Sequence, residues 1–600
     1  MKPLDLPRNA ILAARNLVRS TYRKGLDCVV LSIGGSYPEQ PPQREPLPFP
    51  FSRLPLFPAE VSLADMRMVM DTLGGDRRVR TVVLRFDALQ AGMSTLYSLR
   101  RMLLDLRAKG RRLVAWLPAA DTGDYYLASA CDEVILPQSG HLSVPGLRAE
   151  PVFLKDALAW AGVEADLEAI AEYKVTPDTF RRSTMSEPHR EMLDAILDSL
   201  FDEVVGAIAE GRGLDAARVH ELVDTMPLSA AEAVEAGLAD AVLYEDELVG
   251  RLKSGSREEA GTPEAGSHGK DSRLRGQSRD AGGTLLTYQE AARRLRTPIK
   301  WTTRQAIGVV SLEGLIVSGH SRRVPVPVPL PLPLFEAQAG AETIVQTLRR
   351  AEADPRIAAV VLYVETPGGS ALASDLICQE VRRLRERKPV VVLMGGQATS
   401  GGYYVSALAH RIVARPTTLT GSIGIWGGKF VLAGLYGKLG IGRESVQRGA
   451  MAGLYSEMTP FSEGERAWVR RDLGESYVRF KARVAEGRGM TEEQVEEIAR
   501  GRVWTGAQAR EIGLVDELGD LEAALALAKE LAGLKPDREY TVVQVRSPRH
   551  ELLPPPFSLR EGSVLDGGVG ASLRLSLGAL QGLARERVWA LAPWTLQVQG

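Results

Sequence analysis

The chain repeats itself, and that limits its fold more than any other feature. The stretch 121-DTGDYYLASACDEVILPQSGHLSVPG-146 lies on 399-TSGGYYVSALAHRIVARPTTLTGSIG-424 at an offset of 278, and the same offset sets 81-TVVLRFDALQAG-92 on 359-AVVLYVETPGGS-370. Further along, 209-AEGRG-213 meets 485-AEGRG-489, and 229-SAAEAVEAGLADAV-242 meets 505-TGAQAREIGLVDEL-518, both at 276. Four segments at a near-constant offset indicate two copies of one domain, and 600 residues give each copy enough chain for a full core.

Within each copy, apolar β-branched runs alternate with helical stretches. The runs are 28-CVVLSI-33, 82-VVLRF-86 and 113-LVAWL-117, then 307-IGVVSLEGLIV-317, 359-AVVLYV-364 and 389-PVVVLM-394; 371-ALASDLICQEVRRLRER-387 is a helical stretch of the second copy. Alternation of this kind predicts an α/β fold, two tandem domains with parallel sheets and crossover helices. The copies are expected at 1–253 and 284–545. The Gly-, Ser- and charge-rich segment 254–283 cannot bury enough apolar surface to order itself and reads as a disordered linker, and 546–600 forms a C-terminal extension. Two proline-rich apolar segments, 41-PPQREPLPFPFSRLPLFP-58 and 325-PVPVPLPLPLFEAQAG-340, occupy corresponding places; they are either packed between subunits or exposed to lipid or a hydrophobic substrate.

Composition removes several functions. A net charge of −1 argues against nucleic acid as a partner. Three distant cysteines (Cys28, Cys131, Cys378) and scattered histidines predict neither a disulfide framework nor a metal site. The N-terminal apolar run 10-AILAARNLV-18 is too short to span a bilayer and does not read as a signal peptide. Over residues 9–24, Ile11, Leu12, Val18 and Tyr22 alternate with arginines, which suits a surface helix packed on its own domain or one lying on a membrane.

The copies are most informative where they differ. The second has 367-PGGS-370 after one strand, a turn expected to open a helix, and 399-TSGG-402 after another; the glycines let a substrate carbonyl approach unpaired backbone N–H groups, as an oxyanion hole requires. In the first copy Gln90 and Ala91 replace Gly368 and Gly369, Thr122 replaces Ser400, and Asp124 replaces Gly402. Conversely Lys174, in 172-EYKVTPDTFRR-182, falls opposite Ala450. A buried lysine loses its charge readily, and a neutral amine can serve a serine as general base.

These segments, with 416-PTTLTGSIGIWG-427, resemble the signal peptide peptidase A family in its long, duplicated bacterial form, over roughly residues 55 to 540. The resemblance implies a serine protease of Clp protease/crotonase-like fold with a Ser/Lys dyad: Ser400 as nucleophile, Lys174 as general base, Ser422 orienting the lysine, and backbone N–H groups of Gly368 or Gly369 and of Gly401 as oxyanion hole. It further implies hydrophobic peptides, remnant signal peptides among them, as substrates, no cofactor, a homotetrameric bowl and an inner-membrane location. No spanning helix is visible, so a cytoplasmic or peripheral location stays open. A crotonase-like hydratase or thioesterase would also use an oxyanion hole after Pro-Gly-Gly, and a non-catalytic membrane scaffold is a third class. The apolar stretches 552-LLPPPFSL-559 and 588-VWALAPW-594 can contribute to assembly or membrane contact.

Overall fold

The computed structural model describes residues 5–22, 26–41, 61–258, 285–299, 301, 303–322, 337–546 and 588–591. Most of both proline-rich segments, and the linker from 259 on, lie outside the described residues. Residues 254–258, assigned to the linker by composition, close the helix Glu245–Glu258.

Two compact units form. Apart from a few terminal residues, one gathers 3–147 and 201–301, the other 148–200 and 302–597. The units do not follow the repeat boundaries, because residues 148–200 of the first copy pack with the second copy.

In the first unit six parallel strands run in the spatial order Leu286–Thr287, Cys28–Gly35, Thr81–Leu89, Arg112–Trp116, Glu133–Leu136, Ala241–Val242. Alternate residues enter separate cores: Val29, Val82, Leu113 and Val134 on one face, Val30, Val83, Val114 and Ile135 on the other. Both faces are covered, which is why these strands read as unbroken apolar runs rather than alternating ones.

The second unit repeats the plan. Its main sheet runs Val503–Thr505, Leu419–Gly421, Val390–Thr399, Ile357–Thr366, Ala306–Glu313, Thr541–Gln544; Arg411–Ala414 also pairs with Val390–Thr399, and only the 419–421/503–505 pair is antiparallel. The run 307–317, expected as one strand, is two. It breaks at Gly314, whose φ is 90°, and a Cβ there would lie 1.8 Å from the Ala337 carbonyl oxygen. Beyond that break Leu315–Val317 joins a second sheet, in the order Gln338–Gly340, Leu315–Val317, Gly368–Ser370, Val588–Leu591, Trp426–Val431, Glu164–Ala169.

The last of these strands carries the first copy's residues into this unit. Glu164–Ala169 pairs antiparallel with Trp426–Val431 over six residues, Ala169 opposite Trp426. Arg466 bridges Asp166 at 2.8 Å, Arg470 bridges Glu168 at 3.0 Å, and the Phe461 N–H donates to Asp166 at 2.7 Å.

Among the described residues no helix is long and apolar enough to cross a membrane. The N-terminal stretch forms the helix Asp5–Ser20, tied to its own unit where Asn16 exchanges hydrogen bonds with the Thr297 backbone (2.8 and 3.0 Å). Leu6, Ile11, Leu17 and Val18 on this helix remain exposed.

Candidate active site

Ser400 stands between the strand Val390–Thr399 and the short helix Gly401–Ser406. The strand reaches it through a bulge, since Val364 pairs with Met394 but Thr366 with Ala398. The half-buried side chain of Glu365 closes that bulge, accepting the N–H groups of Gly396 (2.6 Å) and Gln397 (3.1 Å). Ser400 itself adopts φ 55°, ψ −108°, a conformation that costs a non-glycine residue on the order of 1–3 kcal/mol. It is held there by its N–H donating to Gly421 O (2.7 Å) and its carbonyl accepting from Tyr404 N–H (2.8 Å). Beside it Gly402 has no alternative: a Cβ would lie 2.7 Å from Thr366 Cγ2.

Lys174 follows the strand Glu164–Ala169, and its side chain is 1% exposed. The Ile170 N–H donates to Ile425 O and the Tyr173 N–H to Arg500 O, so the segment is stitched to the loops that follow Ser422 and precede Val503. Nζ lies 2.7 Å from Ser400 Oγ and 2.9 Å from Ser422 Oγ, and donates to Ser422 O at 3.1 Å. Burial holds the lysine pKa well below its usual 10.5. In its neutral form the amine would have every position used: one N–H to Ser422 O, one to Ser422 Oγ, and its lone pair toward the Ser400 hydroxyl. Ser422 is fully buried, with φ 51° and its N–H donating to Arg502 O at 2.7 Å.

The glycines differ from expectation. Pro-Gly-Gly is not a turn opening a helix: Gly368–Ser370 is extended, paired with Leu315–Val317 through Ile316 and Gly369, and Ser370 caps the helix Ala371–Arg385. Gly369 is needed for contact, because a Cβ there would lie 2.0 Å from Ile316 O. The Gly368 N–H is turned to Thr366 Oγ1 at 3.0 Å. Gly401 begins the short helix directly after Ser400.

The family model for peptidase family S49 matches residues 105–258 and 382–535, which together exceed half of the chain. This chain belongs to peptidase family S49. The two matches start 277 residues apart (382 − 105), the offset already evident within the sequence. The chain is similar to Serine protease SPPA, chloroplastic, of Arabidopsis thaliana, 30% identical over 478 residues, 80% of this chain and 67% of that one. It is 28% identical to Protease 4 of Haemophilus influenzae over 491 residues, 80% of this chain and 74% of the relative. A Putative signal peptide peptidase SppA of Enterococcus faecium is 35% identical over 195 residues, 32% of this chain and 57% of that one. This S49 chain is a serine peptidase with two copies of the family's α/β domain, and the hydratase and thioesterase classes fall away.

In the S49 repeat that lacks the serine, the corresponding place is built differently. Thr122 starts the helix Thr122–Ala128 with Asp121 capping it, accepting from Asp124 N–H at 2.8 Å. Burial, reinforced by the Asp121 charge, pushes the Asp124 carboxyl up to about 7. At the Ser422 position Val144 is buried.

Several residues of the S49 site escaped sequence reasoning. Thr366 and Glu365 act through contacts formed only after folding. Gly424 and Gly501 make room for the lysine: a Cβ on Gly424 would lie 3.2 Å from Lys174 Cδ, and one on Gly501, whose φ is 83°, 2.4 Å from Lys174 N. Gly501→Ala is therefore expected to displace the lysine segment and lower kcat by about a hundredfold or more, the usual scale for a misplacement near 1 Å. Unchanged kcat in a steady-state peptide assay would show that the segment tolerates the shift.

Proposed function

We propose that this peptidase cleaves hydrophobic peptides, remnant signal peptides among them, with Ser400 as nucleophile and Lys174 as general base. One observation carries the reading: a buried lysine amine, its pKa lowered by desolvation, lies 2.7 Å from a serine hydroxyl held in a strained backbone conformation. Nζ takes the Ser400 proton while Oγ bonds to the peptide carbonyl carbon. The tetrahedral oxyanion is met by the Gly401 N–H together with Gly369, or with Gly368 once Thr366 releases it. Lys174 then gives the proton to the leaving amine. Water repeats the sequence in deacylation, and Ser422 keeps the amine aimed throughout.

Names carried by the relatives, Protease 4 and signal peptide peptidase, support the substrate class. A homotetramer working peripherally at the inner membrane completes the reading. The helix Asp5–Ser20, exposing Leu6, Ile11, Leu17 and Val18 alongside Arg8 and Arg15, suits the membrane contact. A fluorophosphonate is expected to modify Ser400, located by peptide mapping, and to stop cleavage of a synthetic signal peptide. An adduct elsewhere, or cleavage that survives it, rejects the assignment. Flotation with anionic vesicles tests the membrane contact.

A further inference from the structure

Arg502 touches the surroundings of both Ser400 and Lys174. Its carbonyl accepts the Ser422 N–H at 2.7 Å, just past the strand Leu419–Gly421, and the Gly421 carbonyl in turn accepts the Ser400 N–H at 2.7 Å. Its side chain meets the residue that precedes Lys174. The guanidinium lies over the Tyr173 ring at 5.1 Å and over the Trp504 ring at 4.6 Å, and Nη1 donates to Glu191 Oε1 at 2.6 Å. Glu191 closes the circle, since its other oxygen accepts from the Tyr173 hydroxyl at 2.8 Å. The helix Glu187–Arg212 that carries Glu191 is fixed at the same place, because the next residue, buried Met192, accepts the Val503 N–H through Sδ at 3.1 Å.

The corresponding positions of the duplicate cannot build this circle. At the repeat offset of 276, Tyr173, Glu191, Arg502 and Trp504 fall opposite Gly449, Ala467, Met226 and Leu228, none of which can form an ion pair or stack on a cation. Its members are divided between the copies as Lys174 and Ser400 are, Tyr173 and Glu191 in the first, Arg502 and Trp504 in the second. We infer that Arg502 is a positioning residue for the dyad: its carbonyl sets Ser422, and its guanidinium, through Tyr173 and Glu191, sets the segment that bears Lys174. One residue anchored at both ends thus fixes the separation of base and nucleophile. The inference rests on the roles of Ser400 and Lys174 proposed above. Stability is not what the circle supplies, because the Glu191 side chain is 52% exposed and an ion pair in such a place adds little to folding. Proton transfer is far more sensitive. A misplacement of about 1 Å costs about a hundredfold in rate, so the smaller loosening expected without the guanidinium costs about tenfold.

The test compares the full chain with Arg502→Met, which keeps the stem of the side chain, and Tyr173→Phe, which keeps the ring and removes only the hydroxyl. For a hydrophobic peptide, kcat is expected to fall by about tenfold in the first and about threefold in the second, with KM within about twofold of the unaltered chain. Fluorophosphonate labelling of Ser400 should slow by the same factors while denaturation midpoints stay in place. The double variant should be no slower than Arg502→Met, because both substitutions open the same circle. A raised KM at unchanged kcat would mean that Arg502 acts on the peptide, and losses that follow falling denaturation midpoints in both variants would make its role structural. Labelling and kcat equal to those of the unaltered chain would show that the dyad is set without it. Each of these results overturns the inference and leaves Ser400 in place. An unaltered chain that gives no adduct at Ser400 removes the dyad reading and the positioning role with it.

Discussion

Ser400→Ala and Lys174→Ala are each expected to lower kcat/KM for a hydrophobic peptide by about ten-thousandfold or more, and the double variant to be no worse than either single one. The non-additivity is the informative part. Nζ and Oγ are 2.7 Å apart and on the proposed assignment form one proton-transfer unit, so once either is gone the other should contribute nothing. Lys174→Arg should be as inactive as the alanine variant, because a guanidinium does not deprotonate in a protein and so cannot accept the serine proton. Losses that multiply in the double variant, or substantial activity in the arginine variant, would mean the two residues act separately.

The second large effect concerns stability. Burial lowers the Lys174 pKa from 10.5, so between the lower folded value and 10.5 the unfolded chain carries a proton that the native chain does not. Stability therefore rises with pH through that window, by up to about 1.4 kcal/mol per pH unit from this one group, and the slope disappears below the folded pKa, where both states are protonated. Equivalently, the lysine destabilises the fold increasingly as pH falls from 10.5. Lys174→Met keeps the length of the side chain without the titration. Denaturation midpoints measured from neutral pH upward should thus show the wild type gaining on the variant as pH rises toward 10.5. Parallel curves would mean that the lysine is charged in the folded protein. The same sign governs activity: kcat/KM falls as acid protonates Nζ, and the fall occurs well below the pH at which a solvated lysine titrates.

Ser400 and Lys174 stood out as candidates because the two copies differ at those places, the family resemblance added Ser422, and the fold brings the three side chains within hydrogen-bond distance. The first has Lys174 but Thr122 and Val144; the second has Ser400 and Ser422 but Ala450. The sheets were legible too, since strands covered on both faces leave unbroken apolar runs. What sequence could not reveal depends on partners remote along the chain. Nothing near Gly369 announces Ile316 O, so Pro-Gly-Gly read as a turn when its glycines form a short strand inside a sheet. Gly501 looks like any loop glycine until Lys174 lies against it. The four residues 588–591 are apolar, but so short a run takes its meaning from the edges it pairs with, and those lie some 160 and 220 residues earlier (588 − 426 and 588 − 368).

The lysine strand Glu164–Ala169, lodged in the sheet of the later repeat, also sets an order of events during synthesis. Lys174 precedes Ser400 by 226 residues, so a nascent chain has the proposed base long before the proposed nucleophile, and that lysine stays hydrated and cationic until the later sheet closes over it. On the proposed assignment the dyad is complete only once the strands of the second repeat have formed, so a shared site also delays the onset of activity.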